Sequence, residues 1–206
     1  MEAALANGRT ALEQNFINLL AKLLRALNKV FPEDERVLAA LLWVRGVDKD
    51  DVEDVMRTFH TTAQPFFDGL RASDDDTMRE ACDSIPWLKD LDMRAKFDEE
   101  DFVPSRKVLY KYLQNLVMYS RMAFEVDPKL MKAVEETAQE LAAEIRAGRR
   151  DVKNLDLEEI GVAAIKKMEG ADVDDPKLLQ KVNVLLELLT DNPMFQNVID
   201  QAMKGI

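Results

Sequence analysis

The sequence predicts an all-α protein, folded as a mostly antiparallel bundle of eight or nine helices. Apolar residues recur every three or four positions along most of the chain, which is the period of an amphipathic helix. No segment alternates apolar and polar residues as a half-buried strand does. Seven glycines and seven prolines in 206 residues are too few for a turn-rich β-sandwich, and 47% hydrophobic residues are enough to build a core.

The first predicted helix covers approximately residues 10–31, and Pro32 ends it because proline cannot continue a helix. Its apolar positions recur at helical spacing: Leu12, Phe16, Leu19, Leu20, Leu23, Leu27, Val30 and Phe31. Ile17 and Leu24 lie beside this stripe and widen the apolar face, so the helix is either buried on two sides or in contact with a partner. The sequence therefore gives Ile17, Leu20 and Leu24 as candidate protein-binding residues.

Four shorter helices are predicted between residues 33 and 97. They cover residues 33–44, a segment capped by the acids of 48–51, and two short segments that begin at Ser73 and Pro86. Acidic residues in a first turn complement the positive end of the helix dipole, and proline is favoured at the first helical position.

The most polar interruption of the chain is the sequence DEED, which gives a candidate sub-boundary near residues 98–103 within a single helical domain of residues 1–206. It would separate an acidic helical half, residues 1–97, from a C-terminal helical half, residues 104–206. The second half opens with a long core helix that begins at Pro104. Four further helix starts follow from capping side chains, at Asp127-Pro128, Asp156 with Glu159, Asp175-Pro176 and Asn192-Pro193.

The excess negative charge of the chain lies in one segment. Residues 33–101 contain 20 acidic and 9 basic residues, a balance of −11, whereas the rest of the chain is balanced. Such a field repels phosphate backbones, so we expect no nucleic-acid partner. The basic cluster Arg146, Arg149, Arg150 and Lys153 fits a helix C-terminus better than a phosphate site. Charge favours a basic protein as the partner.

Cys82 is the only cysteine, which excludes an intrachain disulfide and predicts a small buried residue in a reducing compartment. The N-terminal residues lack the basic start and apolar stretch of a signal peptide, and no run approaches the roughly 18 apolar residues of a membrane span. We therefore expect a cytoplasmic or nuclear protein that does not associate with membranes. The oligomeric state stays open from sequence.

His60 is the only histidine, so dinuclear iron sites with two Glu-x-x-His elements are excluded, and any serine or cysteine nucleophile would depend on this one base. No motif around the serines supports such an arrangement, and we expect no catalytic residue and no cofactor. The alternative is a small magnesium-dependent hydrolase or transferase that uses Asp50, Asp51 and Asp54. These acids match the DDxxD pattern of helical prenyl-transferring enzymes, but the pattern lacks a clear second metal motif, and acids that complement a helix dipole explain it better.

Two segments resemble a known group of proteins: KVLYKYLQNLVMYSRMAF at 107–124 and AQELAAEIRAGRRDVKNLDLEEIGVAAIKKM at 138–168. They are similar to uncharacterised helical proteins encoded by large eukaryotic DNA viruses of algae and amoebae, and residues 178–203 resemble the helical tail that follows in them. The resemblance implies a helical fold and a viral protein in the cytoplasm or nucleus of a host cell, or in the virion. It implies no activity. The resulting hypothesis is a non-enzymatic interaction or structural protein.

Overall fold

The structure is a computed structural model that describes residues 2–127 and, beyond them, residues 129, 130, 133, 136, 137, 140, 143, 144, 147–149, 162, 163, 165–167 and 182, with side chains from residue 12 onward. The chain divides into two compact units, residues 1–124 and 125–206.

The described part of the first unit contains eight α-helices: α1 (Glu2–Val30), α2 (Glu35–Gly46), α3 (Val52–Ala63), α4 (Phe67–Ala72), α5 (Asp75–Ser84), α6 (Pro86–Asp90), α7 (Met93–Asp98) and α8 (Val103–Phe124). Short 3-10 helices, Gln64–Phe66 and Glu100–Phe102, join α3 to α4 and α7 to α8. These residues contain no β-strand, and the all-α prediction is confirmed. Within the same residues, no helix combines the length and the apolar character that crossing a membrane requires.

Two long helices, α1 and α8, form the centre of this unit. They pack against each other, and α1 also contacts α2 and α3. The predicted stripe of α1 is buried at Phe16, Leu20 and Leu23, and Leu113 and Leu116 of α8 are buried with it. Removal of these apolar surfaces from water is the main driving force for the packing of the shorter helices around the two long ones.

The structure corrects the prediction of a contact surface on α1. The side chains of Ile17, Leu20 and Leu24 are only 8%, 0% and 1% exposed, because α2, α3 and α8 cover α1 on more than one side. Of the two readings that the wide apolar face allowed, burial on two sides is the one that the fold adopts.

The division of the chain also differs from the expected sub-boundary near 98–103. Phe97 and Phe102 flank the acidic DEED run, and both are buried in the first unit with ring centroids 6.4 Å apart. The run is therefore a polar turn between two core residues, and the chain divides after Phe124 instead.

The corner between α1 and α2 is built around Asp34. This residue is the N-cap of α2, and its Oδ1 accepts hydrogen bonds from the backbone N–H groups of Arg36 and Val37 at 2.9 and 3.1 Å. A capping carboxylate satisfies donors that have no partner inside the helix. The start of α2 is therefore fixed by one side chain.

The same carboxylate pairs with a buried lysine. Lys96 of α7 is 6% exposed, and its Nζ lies 2.7 Å from Asp34 Oδ2 and donates to the carbonyl oxygen of Leu91 at 2.7 Å. The hydrogen bond from Lys96, helped by the backbone donors of α2, lowers the pKa of the Asp34 carboxyl below its ordinary 3.8. This pair connects the first turn of α2 to α7.

Local features of the second unit agree with two of the predicted helix ends. Asp127 Oδ1 accepts a hydrogen bond from the N–H of Lys129 at 2.8 Å, as a capping residue before a proline does. Gly148 has a φ of +66°, and the N–H of Arg149 bonds to the carbonyl of Glu144, which is the geometry of a helix C-terminus. The starts predicted at Asp156, Asp175 and Asn192 lie outside the described residues, as do Arg146, Arg150 and Lys153.

We expect Asp34→Ala to lower the free energy of unfolding by about 3 kcal/mol, because it removes a helix cap and leaves the Lys96 ammonium buried without its counter-ion. Urea denaturation followed by circular dichroism measures this loss. Adding Lys96→Met to Asp34→Ala should restore part of the stability, since no unpaired buried charge remains. An equal loss in Asp50→Ala, which removes an exposed carboxylate, would contradict the assignment.

The contribution of Asp34 should depend on pH. Its pKa is lower in the folded chain than in the unfolded chain, so its stabilisation is fully present above the unfolded value and is lost as the pH falls through the folded value. The difference in unfolding free energy between wild type and Asp34→Ala should therefore be constant near neutral pH and should shrink below the ordinary pKa of 3.8. A difference that persists unchanged in stronger acid would exclude an ionic role for this carboxylate.

Candidate functional site

A groove of about 680 Å³ lies between α2, α3 and α6 in the first unit. Its lining is mainly apolar and comes from three helices: Arg36, Ala39, Ala40 and Trp43 of α2, Asp54, Val55, Thr58 and Phe59 of α3, and Pro86, Trp87, Asp90 and Leu91 in and after α6. A volume of this order is typical of pockets that bind ligands or side chains of a partner.

The aromatic wall of the groove is held by the core beneath it. Phe59 is buried, and the ring of Trp87 stacks near it with centroids 6.4 Å apart and planes inclined by 29°. Pro86 occupies the first turn of α6 and fixes the backbone where Trp87 begins. Trp43 lines the groove from α2, so both tryptophans of the chain face the same groove.

Helix α2 is apolar on nearly every side. Val37, Leu41 and Val44 pack into the core, but Leu38, Leu42 and Trp43 are 48%, 60% and 44% exposed. We call these three exposed residues the α2 ridge.

The residues of the α2 ridge lie on two flanks of helix α2. Leu38 and Leu42 are four residues apart and share one flank, whereas Ala39 and Trp43 share the other flank, which lines the groove. A helix that is apolar all round is usually buried on all sides. In this structure its outer surface is left open.

Of the charged side chains that line the groove, the basic one forms an ion pair within the described part of the chain and the two acidic ones do not. Arg36 Nη1 lies 2.8 Å from Asp92 Oδ2, so its charge is met within the fold. Asp54 and Asp90 line the groove without an ion pair to any described residue. The groove therefore presents apolar surface beside two carboxylates that lack a counter-ion among the described residues.

The carboxylates of the magnesium hypothesis lie at the start of α3. Asp50 and Asp51 are exposed in the turn before the helix, and Asp51 is its N-cap without a side-chain capping bond. Asp54 is exposed one turn later and belongs to the groove. Among the residues that the structure describes, no three acidic, histidine or cysteine side chains are gathered so that they could hold a metal ion.

His60 and Ser120 meet where α3 packs on α8, with His60 Nδ1 3.4 Å from Ser120 Oγ. The Ser120 hydroxyl is fully buried and donates to the carbonyl of Val117 at 2.9 Å. The His60 ring lies between Phe67 and Phe124, with centroid distances of 5.5 and 5.3 Å. A nucleophile needs a free approach for its substrate, so this pair is a packing contact between two helices.

Cys82 of α5 is fully buried, as its sequence context predicted. Burial in the core, together with the neighbouring Asp83, raises the pKa of the thiol to about 12. Because the thiolate is the reactive form, this cysteine is chemically inert in the folded protein.

Comparison of the chain with protein-family models, with curated proteins and with solved structures gives no match. The resemblance to proteins of large DNA viruses therefore stays a prediction, and function has to be argued from the α2 ridge and the groove.

We expect Cys82 to resist maleimide labelling in the native protein and to react fully in urea, because the thiol is buried and protonated at neutral pH. Mass spectrometry after timed labelling measures the modified fraction. A Lys111→Cys variant, with the new thiol at an exposed position of α8, serves as the reactive control. Native labelling of Cys82 at the rate of that control would show that the α5 region opens readily.

Proposed function

We propose that this chain is a non-enzymatic helical interaction protein that binds a partner protein through the α2 ridge and the adjoining groove. The observation that carries the proposal is the exposure of Leu38, Leu42 and Trp43 on one helix of a unit whose other large apolar side chains are mostly packed. Contiguous apolar surface of this kind marks interaction sites, and aromatic residues are enriched at their centres.

The distribution of this surface supports a protein rather than a small ligand. A small molecule could fill the groove beside Trp43, but it would leave Leu38 and Leu42 exposed on the opposite flank of α2. A protein partner can cover both flanks, because typical interfaces extend well beyond one pocket. The acidic segment of residues 33–101 contains α2 and both groove carboxylates, which favours a basic partner.

The proposal also covers origin and location. A chain with one buried cysteine suits the reducing cytoplasm or nucleus, and the resemblance of residues 107–124 and 138–168 supports a viral protein acting in a host cell or in the virion. If the protein is instead a structural component of a larger assembly, we propose that it contacts its neighbours through the same α2 ridge and groove.

A photo-reactive amino acid in place of Leu42 tests the proposal in cells that normally contain the protein. We expect irradiation to produce one defined covalent adduct with another protein, since this side chain lies at the centre of the α2 ridge. The same amino acid in place of Lys111, on α8, should give no such adduct. Adding Leu38→Glu to the Leu42 probe should abolish the adduct while leaving the circular dichroism spectrum unchanged, because Leu38 is exposed.

Identical adducts at positions 42 and 111, or none at position 42, would contradict the proposal. Thermal unfolding in magnesium adds an independent check on the enzymatic alternative. A rise in Tm that disappears in the Asp50→Asn, Asp51→Asn and Asp54→Asn variants would support a metal-dependent enzyme instead, because a ligand that binds only the folded state stabilises it.

A further inference from the structure

We infer that the groove receives an amphipathic helix of the partner protein, and that a lysine or arginine of this helix binds against Trp43 and Trp87 and near the carboxylates of Asp54 and Asp90. The inference rests on the proposed function and adds the chemistry of the partner. It concerns the groove, whereas the proposed function was argued from the exposure of the whole α2 ridge.

The shape of the groove suits a helix. One wall is a helix, α2, and it presents the small residues Ala39 and Ala40 to the groove, so that a partner backbone can approach closely. Val55 and Leu91 add apolar surface on the other sides. An apolar helix face that lies in an apolar groove is a recurring mode of protein recognition, with anchors spaced at one helical turn.

Charge decides which kind of helix fits. The groove has three charged lining residues, and Arg36 is already paired with Asp92 at 2.8 Å. The remaining two, Asp54 and Asp90, are carboxylates without an ion pair among the described residues. A partner with acidic side chains at this rim would be repelled, whereas a basic side chain would supply the missing counter-ion.

The aromatic rings favour a cation at the same place. Within the first unit, cations repeatedly lie over aromatic faces, as Arg106 does 4.3 Å from the centroid of Phe97 and Arg57 does 4.8 Å from that of Phe124. No cation of the described residues lies over Trp43 or Trp87. Indole is the aromatic group that attracts cations most strongly, and the two indoles and the two carboxylates line the same groove, which suits an ammonium or guanidinium group.

Two synthetic helices without tryptophan provide the probe. Both carry the same leucine stripe at helical spacing, and the remaining positions are lysine in one peptide and glutamate in the other. A third peptide has the composition of the lysine peptide with its leucines scattered. Binding is followed through the fluorescence of the protein itself, because its only two tryptophans line the groove, and through the anisotropy of labelled peptide.

We expect the lysine helix to bind in a one-to-one complex with a change in tryptophan emission, and the glutamate and scattered peptides to bind at least about tenfold more weakly. The double variant Asp54→Asn and Asp90→Asn should weaken the lysine helix about tenfold at low salt, and less at high salt because exposed charges are screened.

The matched control, Asp68→Asn with Asp101→Asn, removes the same net charge at exposed positions outside the groove and should change affinity less than about twofold. Trp43→Ala should abolish the anisotropy signal without unfolding the protein, since this residue is exposed on α2. Asp54→Lys with Asp90→Lys should reverse the preference in favour of the glutamate helix.

Equal binding of the lysine and glutamate helices, or equal losses in the groove and control variants, would overturn the inference. So would a concentration-dependent dimer that Trp43→Ala dissociates in sedimentation experiments, because the groove would then be occupied by a second copy of the chain. In each case an adduct at position 42 with another protein would still stand, so the failure of this inference is distinguishable from the failure of the proposed function.

Discussion

The carboxylate of Asp34 is the constraint on which the presentation of α2 depends. It accepts hydrogen bonds from two backbone donors of α2 and pairs with the ammonium of Lys96, which is itself satisfied by the Leu91 carbonyl. A buried ammonium is tolerated only when its charge and its donors are met. Because α2 starts at this fixed point, Val37 turns into the core and the α2 ridge turns outward. The ion pair between Asp34 and Lys96 at the start of α2 thus helps to orient the exposed α2 ridge.

Ion pairs within the acidic segment, residues 33–101, also determine which of its carboxylates remain at the surface. Several basic side chains of this segment form ion pairs with acids of the same segment: Arg36 with Asp92, Arg79 with Asp76 and Asp98, Arg94 with Asp83, and Lys96 with Asp34. Arg106 of α8 donates a hydrogen bond to the carboxylate of Asp75, which also accepts one from the hydroxyl of Tyr110. Because 20 acidic residues face only 9 basic ones in this segment, carboxylates remain at the surface without an ion pair among the described residues, including the two at the groove.

Helical periodicity and capping residues were sufficient to predict the longer helices and much of the core. Phe16, Leu20, Leu23 and Leu27 of the α1 stripe are buried where the pattern placed them, and Pro86 begins α6 because the rule for the first helical position is local. Periodicity did not distinguish a helix that is buried on two sides from one that meets a partner, so Leu20 and Leu24 were assigned to the wrong surface. That distinction depends on which other helices pack on α1. Helix packing is a property of the tertiary structure, and the local sequence pattern does not contain it.

The groove could not be predicted from the sequence, because it too forms only when separate helices pack together. Its walls come from α2, α3 and α6, and nothing in the local pattern of Trp43, Phe59 or Trp87 indicates that they converge. The exposure of Leu38 and Leu42 was equally hidden, since the pattern of residues 33–44 treats both as ordinary core positions. The short helices α4 and α7 lack a stripe long enough to be recognised, although Leu70 and Met93 are buried in them.

The packing of α1 on α8 joins the beginning of the first unit to its end. During translation, the leucine-rich face of α1 leaves the ribosome long before the residues of α8 exist to cover it. Helices α2 and α3 can shield part of that face early, but the core around Phe16, Leu20 and Leu23 cannot close until the chain has been made up to Phe124. Contacts of such large sequence separation slow folding and leave apolar surface exposed in the meantime. During synthesis, the apolar face of α1 therefore stays partly exposed to water until α8 has emerged to cover it.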